Sequence, residues 1–293
     1  MKHISNFFST SLLISIGLVN VTAQDAPAEV VQSEVGVQQP VESSQGLSGA
    51  AGYEVQYLYR DNPFYLDDAP TQTARSRVMI HTFYGAVTIP ESTRINLTSK
   101  NTVGVMKQLV RYQESMLENF DYETLSVFYK GELASVGDWK PSIGVAYAEV
   151  EITEANLDAF DGSFPFISAS KNYGKYVATI KTSYSFTEVK GGTSSDKDRL
   201  NAWTTGVTLS QHNRLNNRMG FNSNASLSYA YFNEGTNSGR DDITFEAGTS
   251  LYYNISKYLK GDLFVDYIKR GSNMNYDYTN WDAGLKINAA LAF

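Results

Sequence analysis

Apolar and polar residues alternate one by one along the end of the chain, and this pattern constrains the fold more than any other feature. The apolar set is Trp281, Ala283, Leu285, Ile287, Ala289, Leu291 and Phe293, and the residues between them include Asp282, Gly284, Lys286 and Asn288. Successive side chains of a β-strand point to opposite faces. The run therefore predicts a strand with one apolar face and one polar face.

Similar alternation recurs along the chain from residue 51 onward. It is clearest in residues 53–60, 125–130, 178–186, 203–210, 221–231, 243–254 and 259–267. The polar positions are mostly Ser, Thr, Asn and Gly with scattered charges. The predicted strands run to about 10 to 14 residues, which is longer than the usual strand of a soluble sheet.

Two folds have strands of this kind, a soluble β-sandwich and a membrane-spanning barrel. Aromatic residues near strand ends, as in interfacial girdles, favour the membrane; they are Trp203, Tyr253, Tyr267, Trp281 and Phe293. A tilted strand of the length of the final run rises about 28 Å, close to the apolar band of an outer-membrane barrel. We therefore predict an all-β fold, a closed antiparallel transmembrane β-barrel.

The strand number follows from parity, because bacterial barrels of one chain have even numbers of strands. We place outer loops at residues 61–75, 101–121, 189–199, 233–242 and 271–280, and turns at 89–93, 134–141, 213–218 and 254–258. The obvious runs are one short of an even number. A weak strand at residues 163–171 restores parity despite Pro165, which argues against a strand. The prediction is about twelve strands.

The first residues have the features of a secretion signal. Lys2 precedes an apolar stretch at residues 7–19, and small residues end at Ala23. This pattern predicts a signal peptide at residues 1–23, cleaved after Ala23. Residues 24–50, rich in Gln, Glu, Pro and Ser, are predicted to be a flexible periplasmic segment. The barrel is assigned to residues 51–293.

The last strand, ending in Phe293, resembles the terminal insertion signal of Gram-negative outer-membrane proteins. In those proteins the barrel-assembly machinery recognises a final aromatic residue. The whole chain resembles small porins and, as a second resemblance, solitary autotransporter barrels. The resemblance implies the cell outer membrane as location. It implies outer-membrane lipids, lipopolysaccharide, the assembly machinery and small hydrophilic solutes as partners.

Few residues suggest catalysis. His81 and His212 are the histidines beyond the signal, and we interpret His81 as a lumen-lining residue. The acid pairs Asp67-Asp68 and Asp241-Asp242 are interpreted as surface charges of outer loops. We therefore expect no enzymatic activity, no cofactor and no metal site. A net charge of −7 also argues against nucleic acid as a partner.

Charged residues on the polar face of the last three predicted strands are expected to line the lumen. They are Glu246, Lys260, Asp262, Asp266 and Lys286. Their mixed signs fit either cross-strand pairing or a transverse field that selects solutes. The leading prediction is a passive channel for small hydrophilic solutes. The alternatives are a non-conducting structural or export-associated barrel and, third, an outer-membrane hydrolase with a site at the rim.

Residues 103–120 have the weakest alternation. Apolar residues recur there at spacings of three and four, the period of a helix. The candidates are Met106, Leu109, Val110, Leu117 and Phe120. We predict a short helix in an outer loop that narrows the barrel mouth, with a poorly alternating strand pair as the alternative.

Overall fold

The computed structural model of the chain describes residues 48–61, 76–90, 98–114, 117–118, 121–152, 159–190, 197–274 and 276–292. The predicted signal peptide, nearly all of the predicted N-terminal segment, Asp67-Asp68 and Phe293 lie outside these residues. The expectations for them stay predictions. Among the described residues, no helix has the length and apolar character needed to cross a membrane.

The described chain is almost entirely β-strand. The strands are β1 Ser48–Arg60, β2 Ser76–Pro90, β3 Thr98–Tyr112, β4 Tyr122–Leu133, β5 Lys140–Ile152, β6 Ala159–Tyr173, β7 Tyr176–Lys190, β8 Ala202–Arg214, β9 Met219–Phe232, β10 Arg240–Asn254, β11 Leu259–Ser272 and β12 Tyr278–Ala292. Each strand pairs antiparallel with the next, and β12 pairs with β1 to close a barrel. The prediction of a closed antiparallel barrel of about twelve strands is confirmed. β1 begins three residues before the predicted boundary at residue 51.

Alternate side chains of each strand differ in exposure. In β1, Tyr57 is exposed and Leu58 is buried; in β12, Trp281 is exposed and Asn280 is buried. Because the sheet is closed, the buried set points inward and the exposed set forms the outer surface. That surface is largely apolar, as a membrane-facing surface must be. Closure also pairs every strand on both sides and leaves no edge.

The connections differ in length between the two ends of the barrel. At the end where β1 begins, turns are as short as residues 174–175 and 255–258. At the other end the connections include residues 61–75 and 191–201. Outer-membrane barrels have short periplasmic turns and longer outer loops, which assigns the second end as the outer end.

The weak strand of the sequence analysis is β6, which is longer than expected. Pro165 pairs with Val145 on β5. Toward β7, the pairing passes from Ser163–Phe186 directly to Phe166–Ser183. Proline has no N–H to donate, and the ladder is interrupted on the side where that donor would be needed. The strand tolerates the proline because its other ladder is continuous.

The predicted helix at residues 103–120 is wrong, because residues 98–112 form β3. Val103 and Val105 face outward and are exposed, as expected of a strand facing lipid. Toward the outer end the polarity reverses, since Lys107 points outward and Val110 points inward. This reversal halfway along β3 weakened the period-2 signal and left an apparent helical spacing. The predicted outer loop at 101–121 shortens accordingly to residues 113–121.

Candidate functional site

The lumen is the candidate functional site. The structure places all five predicted lumen residues on inward positions of β10, β11 and β12. Three of them take part in ion pairs within the lumen: Lys260 lies 3.4 Å from Asp262 on the same strand, and Lys286 lies 3.8 Å from Glu54 of β1. Lys260 and Asp262 are both buried. The second pair ties β12 to β1 near the periplasmic half of the barrel.

Glu246 and Asp266 are arranged differently from the paired charges. Within the part of the chain that the structure describes, no ion pair joins either carboxylate to a cation. Ser226 donates a hydrogen bond to Glu246 over 3.4 Å, and Asp266 is exposed to the lumen. A Cβ on Gly248 would lie 2.2 Å from Oδ1 of Asp266, so the glycine makes room for this carboxylate. The two acids therefore place carboxyl groups without a cationic partner in the middle of the lumen.

A neutral polar wall continues from these acids across β8 to β10. Its inward residues are Thr204, Thr208, Ser210, Asn222, Asn224, Ser226, Ser228 and Ser250, and most of them are partly exposed. Hydroxyl and amide groups of this kind can replace part of the hydration of a passing solute. The arrangement suits transit of hydrophilic molecules.

Arg60 and Asp282 hold the closure between the first and last strands. Nε of Arg60 donates to Oδ1 of Asp282 over 3.0 Å, and Nη2 donates to Oδ2 over 2.8 Å. Asn280 also donates to Asp282 over 2.9 Å. A bidentate pair with little solvent contact fixes both side chains against the wall.

The two histidines lie on different surfaces. His212 points inward near the periplasmic end, where its Nδ1 lies 2.6 Å from Asn222 and its Nε2 lies 3.2 Å from the hydroxyl of Tyr252. His81 is not in the lumen, contrary to expectation. It faces outward on β2, with its Nδ1 2.7 Å from the hydroxyl of Tyr53. The error arose because a polar residue was assumed to face the lumen.

An apolar cluster fills the outer mouth on the side of β1 to β7. It comprises Leu58, Val78, Ile80, Val110, Tyr112, Leu117, Tyr122, Val150, Phe160, Val189 and Leu200. Leu117 and Leu200 come from outer loops and are 4% and 1% exposed. Apolar loop residues thus pack down onto inward strand residues and occupy this half of the mouth.

Charged and aromatic residues close the other half of the mouth. Arg240 and Arg270 are buried beside Asp242, which accepts hydrogen bonds from Arg240 and lies 3.6 Å from Arg270. The Arg240 guanidinium lies 3.7 Å from the ring centre of Tyr276. Asp242 is therefore a buried inward residue of β10. The interpretation of Asp241-Asp242 as surface charge of an outer loop is wrong for this residue.

The constriction candidates are divided among several places. Val110 and Leu117 lie in the apolar cluster of the mouth, Met106 points inward below it, and Leu109 faces outward. Phe120 lies outside the described residues. Sequence reasoning missed Leu58, Phe160 and Leu200, and it missed the Arg240–Asp242–Arg270 group. All of these except Leu200 are strand residues, and the alternation along their strands is the signal that could have marked them as inward.

A closed antiparallel barrel of twelve strands, with an apolar outer surface and a polar lumen, is an outer-membrane β-barrel of porin-like architecture. No protein-family model matches the chain. No curated protein sequence matches it either.

Solved structures with a similar fold are outer-membrane barrels. The COG4313 outer membrane channel from Pseudomonas putida F1 has a TM-score of 0.50 and 8% identity, covering 84% of this chain and 96% of that one. The translocator domain of autotransporter NalP from Neisseria meningitidis has a TM-score of 0.45 and 11% identity, covering 93% and 96%. The KdgM porin has a TM-score of 0.42 and 11% identity, covering 81% and 97%. At these identities the likeness shows the fold alone.

Proposed function

We propose that the chain is a passive channel of the cell outer membrane for small hydrophilic solutes. The observation that carries the proposal is the pair of lumen carboxylates, Glu246 and Asp266, beside a wall of hydroxyl and amide groups. A lumen without a transport role has no need to keep an exposed Asp266 carboxylate against Gly248. The partners would be water-soluble molecules that enter from outside the cell.

The two carboxylates further support a preference for cations. Fixed negative charge at the wall of a narrow, low-dielectric passage concentrates cations and repels anions. The neighbouring cations Lys260, Lys286 and Arg60 are each joined to a carboxylate of their own. We therefore infer that the central lumen favours cationic and neutral solutes.

Planar-bilayer recording tests both statements. The purified protein is expected to conduct, with a reversal potential in a salt gradient that indicates cation preference. Glu246→Gln with Asp266→Asn should move the reversal potential toward zero, because the fixed charge is removed. Asp241→Asn, on the outward face of β10, is the matched control and should leave it unchanged. Absence of conductance in folded protein would contradict the channel proposal.

The second candidate is a non-conducting structural or export-associated barrel. The closed outer mouth favours it, since inward residues at the outer ends of the strands are buried on both halves. A hydrolase at the rim has less support, because the described contacts of His81 and His212 are with Tyr53, Asn222 and Tyr252. We infer that the protein is not an enzyme.

Secretion and assembly complete the proposal. Cleavage after Ala23 would release the chain into the periplasm, and Phe293 would be recognised by the barrel-assembly machinery. Deletion of Phe293 should lower the amount of folded barrel in outer-membrane fractions. The amount of chain that the cell synthesises should stay the same. Edman or mass-spectrometric analysis of the mature N-terminus, expected at Gln24, checks the cleavage site.

A further inference from the structure

At several places on the lumen wall, an aromatic side chain lies over a glycine of the neighbouring strand. The pairs include Tyr84 over Gly52, Phe128 over Gly104, Phe166 over Gly144 and Tyr252 over Gly220. In each pair the two residues are direct partners in the strand register, and a Cβ on the glycine would overlap the aromatic side chain. These rings therefore lie close to the wall and leave the passage beside them open.

Two of these rings are covered by another side chain. Nζ of Lys181 lies 4.5 Å from the ring centre of Phe166. The ring of His212 stacks on the ring of Tyr252, with the two ring centres 5.4 Å apart. Phe166 and Tyr252 are both buried, whereas the inward residues Tyr84 and Phe128 are half-buried. Part of the Tyr84 ring and part of the Phe128 ring therefore face the lumen.

The two open rings are separated along the wall. Tyr84 belongs to β2 and lies over Gly52 of β1, while Phe128 belongs to β4 and lies over Gly104 of β3. Positions on β1 and β3 are two strand spacings apart, which corresponds to roughly 10 Å. A ligand that contacts both rings must therefore be longer than a single small ring.

Hydrogen-bonding groups surround the Tyr84 ring. The hydroxyl of Tyr84 donates to Asn288 over 3.3 Å, and Asn288 donates to Glu54 over 3.3 Å. Gln56 also donates to Glu54 over 2.7 Å, and Nζ of Lys286 lies 3.8 Å from the same carboxylate. The carboxylate and the ammonium group offset each other, so this part of the wall favours neither cations nor anions.

The chemistry of a neutral oligosaccharide matches both features. The face of an aromatic ring carries partial negative charge, and the C–H groups on one face of a sugar ring are weakly positive, so the two faces attract each other. The hydroxyls at the edge of a sugar ring both donate and accept hydrogen bonds, as carboxylate and amide neighbours require. A charged solute would have to compete with the pair of Glu54 and Lys286.

We propose that Tyr84 and Phe128 form a binding site for a neutral oligosaccharide inside the lumen. Sugar rings stack on the two aromatic side chains, and the hydroxyls at their edges bond to the polar groups of Glu54 and Gln56. The inference rests on the proposed function in one respect, that the bound oligosaccharide is a solute in transit. It names a class of solute that the proposed channel carries.

Calorimetric titration of the full-length folded protein with maltotriose tests the site, in a detergent whose headgroup is not a sugar. Phe128→Leu should weaken binding about tenfold, because it keeps an apolar side chain and removes the ring face. Tyr129→Leu is the matched control, since Tyr129 is the next residue of β4 and is exposed on the outer surface. Phe128→Tyr keeps the ring and should bind as the wild type does. Sorbitol has the hydroxyls of a sugar without its ring and should bind more weakly than maltotriose.

Equal affinity of the wild type and Phe128→Leu for maltotriose would overturn the proposal. So would the absence of maltotriose binding, or binding of sorbitol with the same affinity. A protein that conducts without binding maltotriose contradicts this inference alone, whereas one that binds maltotriose without conducting contradicts the channel and not the site. If Phe128→Leu does not fold, magnetisation transfer in the wild type between maltotriose and the ring protons of Tyr and Phe gives the answer, and its absence overturns the proposal.

Discussion

Asp266 shows how a single glycine positions a charged group in the lumen. Asp266 lies opposite Gly248 in the register between β10 and β11, and its carboxylate occupies the space where a side chain would begin. Asn224 approaches the same glycine from β9, 2.8 Å from the position of a Cβ. Three strands thus meet over one residue without a side chain, and the acid is held on the wall of the passage.

Replacing this glycine tests its role. Gly248→Ala should displace Asp266 and Asn224, because its Cβ would be 2.2 Å from the Asp266 carboxylate. We expect changed conductance and weaker cation preference in bilayer recordings. The β-sheet should still close into a barrel. Gly85→Ala is the control, since its Cβ would meet only the backbone oxygen of Ala50 at 3.9 Å. Equal recordings for both variants would contradict this account.

Neighbouring residues of β12 test the assignment of inward and outward faces. Leu285 is exposed to lipid, and Leu285→Arg should destabilise the barrel by about 2 to 4 kcal/mol if the position lies near the bilayer midplane. Lys286→Arg should be tolerated because Lys286 faces the lumen and pairs with Glu54. Urea titration of folded protein in lipid vesicles measures both. Similar losses for the two variants would refute the face assignment.

At the scale of elements, the connection after β3 controls the outer mouth. Its residue Leu117 is buried among inward residues of the strands. Glu114 fixes the start of the connection by accepting hydrogen bonds from the hydroxyl of Ser76 and from the backbone N–H of Arg77. Burial alone would raise the pKa of Glu114, but these hydrogen bonds outweigh it and hold the pKa below 4.5.

Opening this mouth gives a prediction about conductance. Leu117→Ser removes apolar contact from the cluster, so the connection should leave the mouth more often and conductance should rise. Glu118→Ser, at the exposed neighbouring position, should have no effect. Single-channel recording measures both. Unchanged conductance in a folded Leu117→Ser variant would show that the loop does not limit the passage.

The hydrogen bonds that Glu114 accepts should make the position of the connection after β3 depend on pH. A lowered pKa means that the stabilisation is present above 4.5 and is lost as the pH falls through the folded-state pKa. We expect the mouth to open more in acid than at neutral pH. Glu114→Gln should conduct at neutral pH as the wild type does in acid. Identical pH profiles for the variant and the wild type would contradict a role for Glu114.

At the scale of the whole molecule, closure makes the barrel a single unit. Every strand pairs on two sides, so no edge is available from which unfolding can begin. Arg60 and Asp282, which are 222 residues apart in the sequence, join the first strand to the last. The fold depends on contacts that exist only after the final strand has arrived.

Orientation and closure are tested together. Cysteine at Ser238 should react with impermeant maleimide on intact cells, whereas cysteine at Ser256 should not, because they lie at opposite ends of the barrel. The protein contains no cysteine, so the background is clean. Unheated protein should migrate faster than boiled protein on SDS gels. Reversed labelling would mean that the assigned outer end is the periplasmic one.

The sequence by itself determined the fold class, the strand number and the face of most strand residues. These follow from alternation, which is a local property of the extended backbone. The requirement for an even number of strands also located β6, whose own alternation is poor around Pro165. Glu246, Asp266 and Lys286 were placed on inward positions by the same rule.

Only the tertiary structure decided what each face meets. His81 faces outward on β2, where it lies opposite Val55 and its Nδ1 is 2.7 Å from the hydroxyl of Tyr53. Asp242 is buried because Arg240 and Arg270 converge on it. β3 has an apparent helical spacing because its outer half carries the charged residues Lys107 and Arg111 on the outside and the apolar residue Val110 on the inside. Those surroundings are built from strands and loops far apart in sequence. Burial depends on what lies across the lumen or beside the barrel, and local spacing contains no information about that.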